Sequence, residues 1–339
     1  MAGNLIALAA AFGLLARYVS PQIFWPPAII ALLLPALLLA TLVFFILEIV
    51  RRRWRPAVLP GLVLAFSLSI VGRLFAWPHN GHAHDPAAPT LTVMTGNQRM
   101  FRSSGGKNTP PPDVEAFFNQ ANADVAMLQE IWPERRKENY IAAIRSGLHL
   151  RHRHQEPKTY LATYAGKIDE VAAYFQNSDY NGILVSDVKT DLGIIRFINT
   201  HLQSNKISGM AEGIRGEESV SDQVTTLGQM LAGYGRTTRR RAEQAKQIRL
   251  LVEESPYPVI LGGDFNDVPS SYAYNVMLAP RLRDAWAVAG AGLGETFTGP
   301  LPGLRIDYFM VDTSLTVLGI ERIDSPWSDH RMLRLKVGK

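Results

Sequence analysis

The 339-residue sequence contains no cysteine, which excludes disulfides and thiolate chemistry from any account of it. The same absence fits every cellular compartment and places the protein in none. Charge is also scarce: Asp, Glu, Lys and Arg make up 19% of the residues against 47% hydrophobic. That balance excludes a disordered chain and leaves a globular chain or one partly embedded in a bilayer. The net charge of +5 favours anionic partners such as phosphates, nucleic acid or lipid head groups without choosing among them.

What is present begins with long apolar runs. Ala28 to Leu47 carries no charge and has the length of about 20 residues that a helix needs to cross a bilayer. Pro35 lies inside it and is expected to kink it. Ala57 to Trp77 is apolar except for Arg73, which lies close enough to the end to snorkel, and Trp77 suits the interfacial aromatic belt. Leu5 to Leu15 is shorter and stops before Arg17; it reads as a short first span. Between the two longer runs lies Arg51-Arg52-Arg53-Trp54-Arg55, a positive cluster that marks a cytoplasmic loop. The expected organisation is a transmembrane region of two or three helices over residues 1–77, a linker over 78–90 and a folded domain over 91–339. Such a chain sits in the cell (inner) membrane as a multi-pass protein with the domain over 91–339 extracytoplasmic. The linker carries His79, His82 and His84, read as part of a flexible connection rather than a metal site.

Beyond the linker, short apolar runs recur. Leu91 to Thr95, Val125 to Gln129, Val171 to Phe175, Ile183 to Val188 and Ile194 to Thr200 predict strands, and Pro112 to Ala121 and Glu134 to Leu148 predict helices. Ser204 to Gly235, rich in Gly, Ser and polar residues, reads as a long insertion or lid. From Thr237 the period turns helical, with Ala242, Ala245, Ile248 and Val252 on one face. Arg239-Arg240-Arg241 at its start reads as a solvated basic face or a contact for an anion.

Pro258 to Leu261 predicts a buried strand that runs into Gly262-Gly263-Asp264-Phe265-Asn266-Asp267-Val268-Pro269. Two glycines permit a sharp turn, and along an extended chain Asp264 and Asn266 point to one side. A carboxylate and an amide fixed at a strand end can hold a water and orient a phosphate oxygen. Taken alone, the segment fits an Asx-rich turn equally well. Other polar residues also close predicted strands: Asn97, Glu130, His201, Asp307 within Arg305 to Val311, and the pair Asp329-His330 before the strand Met332 to Val337. Burying Asp307 needs a charged or donating partner, and His330 supplies one.

The segments Thr95-Gly96-Asn97, Leu128-Gln129-Glu130, Asn199-Thr200-His201-Leu202, Gly263-Asp264-Phe265-Asn266, Arg305-Ile306-Asp307-Tyr308 and Ser328-Asp329-His330 together resemble the endonuclease/exonuclease/phosphatase superfamily, the DNase-I-like phosphodiesterases. They occur in the family's order and cover roughly Leu91 to the C terminus. The resemblance implies an α/β fold, a four-layer α/β sandwich of two mixed sheets packed face to face with helices outside. It implies a divalent metal, Mg²⁺ with Mn²⁺ as the alternative, held chiefly by Glu130 with Asn97 and Asp329. It implies that Asp264 positions or deprotonates the attacking water and that Asn266 orients the phosphate. His330, oriented by Asp307, would act as base or bind the non-bridging oxygen, and His201 would stabilise the phosphate or protonate the leaving group. One departure stands out: abasic-site nucleases of the superfamily carry an acid two positions after the Asn97 equivalent, where this chain has Arg99.

Two substrate classes fit. The basic character favours a metal-dependent, nuclease-like phosphodiester hydrolase acting on nucleic acid. The membrane tether favours a phospholipase C or sphingomyelinase-like enzyme acting on phospholipid head groups. A third reading, a non-catalytic membrane receptor on the same fold, would require loss of catalytic residues.

Overall fold

The computed structural model describes residues 2–78, 85–103, 105–133, 137–156, 159–176, 180–204, 220–278, 280–299 and 303–339. The linker histidines His79, His82 and His84, and residues 205–219 of the expected lid, lie outside them. The chain divides into two compact units. The first comprises Met1–Phe75, Asn205–Gln247 and Asp267–Met277, and the second Ala76–Ser204, Ile248–Asn266 and Leu278–Lys339.

The first unit is built on helices α1 (Ala2–Leu14), α2 (Pro27–Leu32), α3 (Leu34–Val50) and α4 (Trp54–Leu74). Ala7, Ala10 and Leu14 of α1 pack on Leu34 and Leu38 of α3 and on Val63 and Ile70 of α4. Small residues allow the close approach: a Cβ on Gly61 would lie 3.0 Å from the Phe45 ring. The single run expected over Ala28 to Leu47 is two helices. Pro35 lacks an N–H and its ring crowds the preceding turn, so it sits in the first turn of a new helix rather than inside a continuous one. Among the described residues, one helix, Trp54–Leu74, is long and apolar enough to cross a bilayer.

The helical pattern expected from Thr237 starts earlier, in α7 (Val220–Glu253). Gly235, one of the residues behind the lid reading, serves close packing instead: a Cβ there would meet the Trp25 ring at 2.9 Å. In the arginine cluster Arg239 and Arg240 are exposed, as a solvated basic face requires, and Arg241 turns inward. Arg241 is fully buried, with its Nε 3.0 Å from Asp267 Oδ2, and Arg239 donates to the Pro21 carbonyl.

The second unit carries two six-stranded mixed sheets, each with one parallel pair near its middle. The first is ordered β11 (Thr316–Ile323), β12 (Met332–Gly338), β1 (Thr90–Asn97), β2 (Val125–Gln129), β4 (Leu161–Ala165) and β3 (His152–His154). The second is ordered β5 (Ile168–Gln176), β6 (Gly182–Thr190), β7 (Gly193–His201), β8 (Val259–Asp264), β10 (Asp307–Asp312) and β9 (Leu282–Asp284). Alternation along the strands sorts the core. Val93, Met127, Phe197, Ile260, Phe309 and Leu335 meet between the sheets. Met94, Ala126 and Leu128 turn outward onto Val114 and Phe118 of α5 (Pro111–Ala121) and Ile144 of α6 (Glu138–Leu148). The architecture is the expected four-layer α/β sandwich.

Topology then gathers the polar strand ends. The parallel pairs β1–β2 and β7–β8 bring their C-terminal ends level, with Asn97 opposite Gln129 and His201 opposite Asp264. Antiparallel β10 begins where β8 ends, so Asp307 pairs with Asp264. One edge of the sandwich thus collects residues far apart in sequence.

Candidate active site

Asp264 is the centre of that edge. It is 1% exposed, and its Oδ2 lies 3.2 Å from Asn97 Nδ2, 3.4 Å from His201 Nε2 and 3.9 Å from His330 Nε2. Its Oδ1 accepts the Asn266 backbone N–H at 2.9 Å. Two features of the backbone turn the chain here. Gly263 has φ +134° and Asn266 φ +51°, both in the region open mainly to glycine and, for single residues, asparagine. The Asn266 amide also donates to the Leu202 carbonyl at 3.1 Å, which fixes it beside the end of β7.

The ring of His330 presents Nδ1 to Asp307 Oδ2 at 2.9 Å. Asp307 is 1% exposed and is itself held by Thr296, whose hydroxyl oxygen accepts the N–H groups of Ile306 and Asp307 at 3.1 Å each. Burial pushes the Asp307 carboxyl up from its ordinary value, an effect His330 opposes. Burial alone would lower His330, but the Asp307 carboxylate first and Asp264 second raise it to about 10. The ring therefore keeps its second proton at neutral pH and presents Nε2–H toward Asp264. His201 places Nδ1 2.8 Å from the Tyr180 carbonyl. A carbonyl only accepts, so Nδ1 carries the proton and Nε2 faces Asp264 and, at 3.8 Å, Glu130.

Glu130 follows β2 at φ +48°, accepts from Asn97 Nδ2 at 3.1 Å and has a quarter of its side chain, 24%, exposed. Asp329 is 32% exposed and lies 4.0 Å from Arg99 Nε. These carboxylates are hard oxygen donors at the open side of the site, the chemistry Mg²⁺ requires. Asn97 stands between them differently from expectation: its Oδ1 accepts the Arg99 N–H at 3.0 Å, while its Nδ2 ties Glu130 to Asp264. A second cluster, Asp264, Asp307 and His330, has ligand atoms within 4.8 Å of one another, with His330 Nδ1 held by Asp307 Oδ2 at 2.9 Å.

The structure thus brings Asn97, Glu130, His201, Asp264, Asn266, Asp307 and His330 together, with Asp329 reaching the group beside Arg99. Sequence reasoning missed Thr296 and Tyr180, whose neighbours carry no local signal. It also missed the buried network in which Gln129 donates to Asn199 Oδ1 at 2.8 Å across the two sheets; both residues lie inside segments already singled out.

The family described as "Endonuclease/Exonuclease/phosphatase family" matches residues 94–330. A family described as "Domain of unknown function (DUF8431)" matches residues 2–74. No curated protein matches the chain. Among solved structures, the D. rerio protein TDP2, humanized by 14 mutations, is similar over 74% of this chain and 99% of its own, at 16% identity and a TM-score of 0.50. An endonuclease/exonuclease/phosphatase family protein from Leptotrichia buccalis is similar over 74% and 100%, at 17% identity and a TM-score of 0.50. The beta toxin of Staphylococcus aureus is similar over 72% and 99%, at 17% identity and a TM-score of 0.50. At these identities the likeness is one of fold.

Proposed function

From the premise that this chain belongs to the endonuclease/exonuclease/phosphatase family, we propose that it is a metal-dependent, nuclease-like phosphodiester hydrolase tethered to a membrane. The observation that carries the reading is Asp264, buried at the meeting point of Asn97, His201 and His330. Hydrolysis needs an oriented water, neutralisation of charge on the phosphate and help for the leaving group. Asp264 is the carboxylate available to align the water and draw its proton. His330, braced by Asp307, donates Nε2–H to a non-bridging phosphate oxygen or acts as base. His201 places Nε2 on the same volume from the opposite side and serves the phosphate or the leaving oxygen. Glu130 and Asp329 would hold a divalent cation, which when bound supplies positive charge against the phosphate.

Support for the tether comes from the first unit. Val50, Leu62 and Leu68 of its helices are 74%, 64% and 72% exposed, more apolar surface than water favours. The exposed cluster Arg51 to Arg55 spans the α3–α4 turn and the start of α4, and Arg73 lies at the opposite end of α4. In a bilayer the cluster would face the cytoplasm and the end of α4 the other side.

The test uses the full chain in detergent micelles and its Asp264→Asn and His330→Ala variants, with Mg²⁺, Mn²⁺ or EDTA. Substrates are plasmid DNA, a single-stranded oligonucleotide and phospholipid vesicles. Metal-dependent turnover abolished in both variants is expected, with nucleic acid preferred. Turnover confined to vesicles would transfer the reading to a lipid phosphodiesterase. Turnover of none by a folded protein would overturn the hydrolase reading and favour a receptor on this fold.

A further inference from the structure

Beside His201 runs a row of aromatic rings that the hydrolytic chemistry does not use. The Tyr180 carbonyl holds His201 Nδ1 at 2.8 Å. The Tyr180 ring stacks on Tyr160, with centroids 4.4 Å apart and planes at 22°. Tyr160 continues to Trp132, 6.5 Å away, and Trp132 stands two residues beyond Glu130. Tyr160 and Trp132 are buried, but Tyr180 is 45% exposed. A partly exposed aromatic ring thus stands beside His201, the side chain that the proposed chemistry turns toward the phosphate.

The charge along the row narrows what it takes. Arg102 and Lys137 lie over the Trp132 ring, at 5.0 Å and 4.9 Å from its centroid. Among the described residues neither forms an ion pair, and Arg102 is held by the Asn108 amide oxygen at 3.3 Å. Aromatic rings receive either a π-face or a quaternary ammonium. Two cations at the end of the row repel an ammonium and attract a phosphate.

We propose that Tyr180 is the stacking platform for a nucleobase next to the scissile phosphate, and that Arg102 and Lys137 take a neighbouring phosphate of the same strand. The proposal rests on the phosphodiesterase reading of the site and assigns its substrate class: a polynucleotide strand with accessible bases. Stacking of this kind tolerates any base and contributes about 1–3 kcal/mol per base.

Equilibrium binding tests it without requiring turnover. The Asp264→Asn full chain in detergent micelles, in EDTA, is titrated with a fluorescent oligothymidylate and with an oligomer of equal length made of abasic residues. Adding Tyr180→Leu should weaken oligothymidylate binding about 5- to 150-fold, the range that 1–3 kcal/mol converts to, and leave abasic binding within twofold. Tyr180→Trp should restore the oligothymidylate affinity. Arg102→Gln and Lys137→Gln should weaken both ligands alike and each lower the salt slope by about one. Equal affinities for the two oligomers, or an equal loss on both from Tyr180→Leu, would overturn the proposal; the second result would show Tyr180 acting only through His201. Competition by phosphocholine but not by a mononucleotide would overturn it in favour of a lipid head group. Base-dependent binding with no hydrolysis by the unsubstituted protein would uphold the platform while refuting the hydrolase.

Discussion

Asn97 and Asp264 belong to different sheets, and the side-chain amide of the first donates to the carboxylate of the second at 3.2 Å. The same nitrogen reaches Glu130 at 3.1 Å, so a neutral donor separates two acids that would otherwise repel. Asn97→Asp keeps the shape and replaces that donor with a third negative charge. Without metal, the variant should lose about 1–3 kcal/mol of stability, and Mg²⁺ should return part of it. Thermal melts in EDTA and in Mg²⁺ check this, and a variant as stable as the parent in EDTA would contradict it.

The Asp307–His330 pair makes a sharper claim about catalysis. Asp307→Asn preserves the packing but removes the charge that fixes the proton on Nδ1 and keeps the ring cationic. The expected loss is about 10²- to 10⁴-fold in kcat with little change in KM, measured on an oligonucleotide with Mg²⁺. Thr296→Val acts one step further out, through the Asp307 backbone, and should lose less than Asp307→Asn.

Gly263 and its neighbour Gly262 separate backbone strain from crowding. A Cβ on Gly263 would meet the Thr200 carbonyl oxygen at 2.0 Å, at φ +134°. Backbone cannot yield there, and the conformation is closed to alanine. A Cβ on Gly262 would meet the Met127 methyl at 2.6 Å and the Phe309 ring at 2.8 Å, groups that rotate at moderate cost. Gly263→Ala should therefore fail to fold or lose more than about 3 kcal/mol, and Gly262→Ala should lose less. Denaturant midpoints for the two variants decide the order.

Legibility in the sequence followed the physics of each element. β1, β2, β7 and β8 are short apolar runs closed by a polar residue, and both their burial and their site residues could be read from that pattern. β4, Leu-Ala-Thr-Tyr-Ala, is fully buried yet has few large apolar side chains to announce it. β11 carries a register shift between Val317 and Gly319 and shows no clean alternation. Gly235 of α7 reads as a loop signal because its reason, the approach of Trp25, lies over 200 positions away in the chain. The Pro35 break was read as a kink because a proline in an apolar run gives the same local signal in either case. Thr296 and Tyr180 share that limit: each holds a candidate site residue, Asp307 and His201, through contacts only the fold creates.

Arg281 and Asp312 yield a prediction outside the site. Arg281 Nε lies 2.5 Å from Asp312 Oδ2, and its Nη1 donates to the Val252 carbonyl in the last turn of α7 and to the Ser255 carbonyl just beyond it, at 3.1 Å and 2.8 Å. Asp312 also accepts from the Ser314 N–H and hydroxyl. Burial alone would raise this carboxyl, but Ser314 and then Arg281 outweigh it and hold the group below its ordinary value. A carboxyl depressed in the folded state adds stability above its unfolded pKa of about 3.9, and that stability is lost as pH falls through the folded value. Asp312→Asn should therefore lower the melting temperature at pH 7, through a loss of about 1–3 kcal/mol. The gap between variant and parent should narrow as pH drops below about 4, because the parent then protonates the same oxygen. Melts of both proteins from pH 7 to pH 3 read the gap directly. A gap that stays constant over that range would mean the carboxyl contributes by shape and hydrogen bonding alone, with its charge uninvolved.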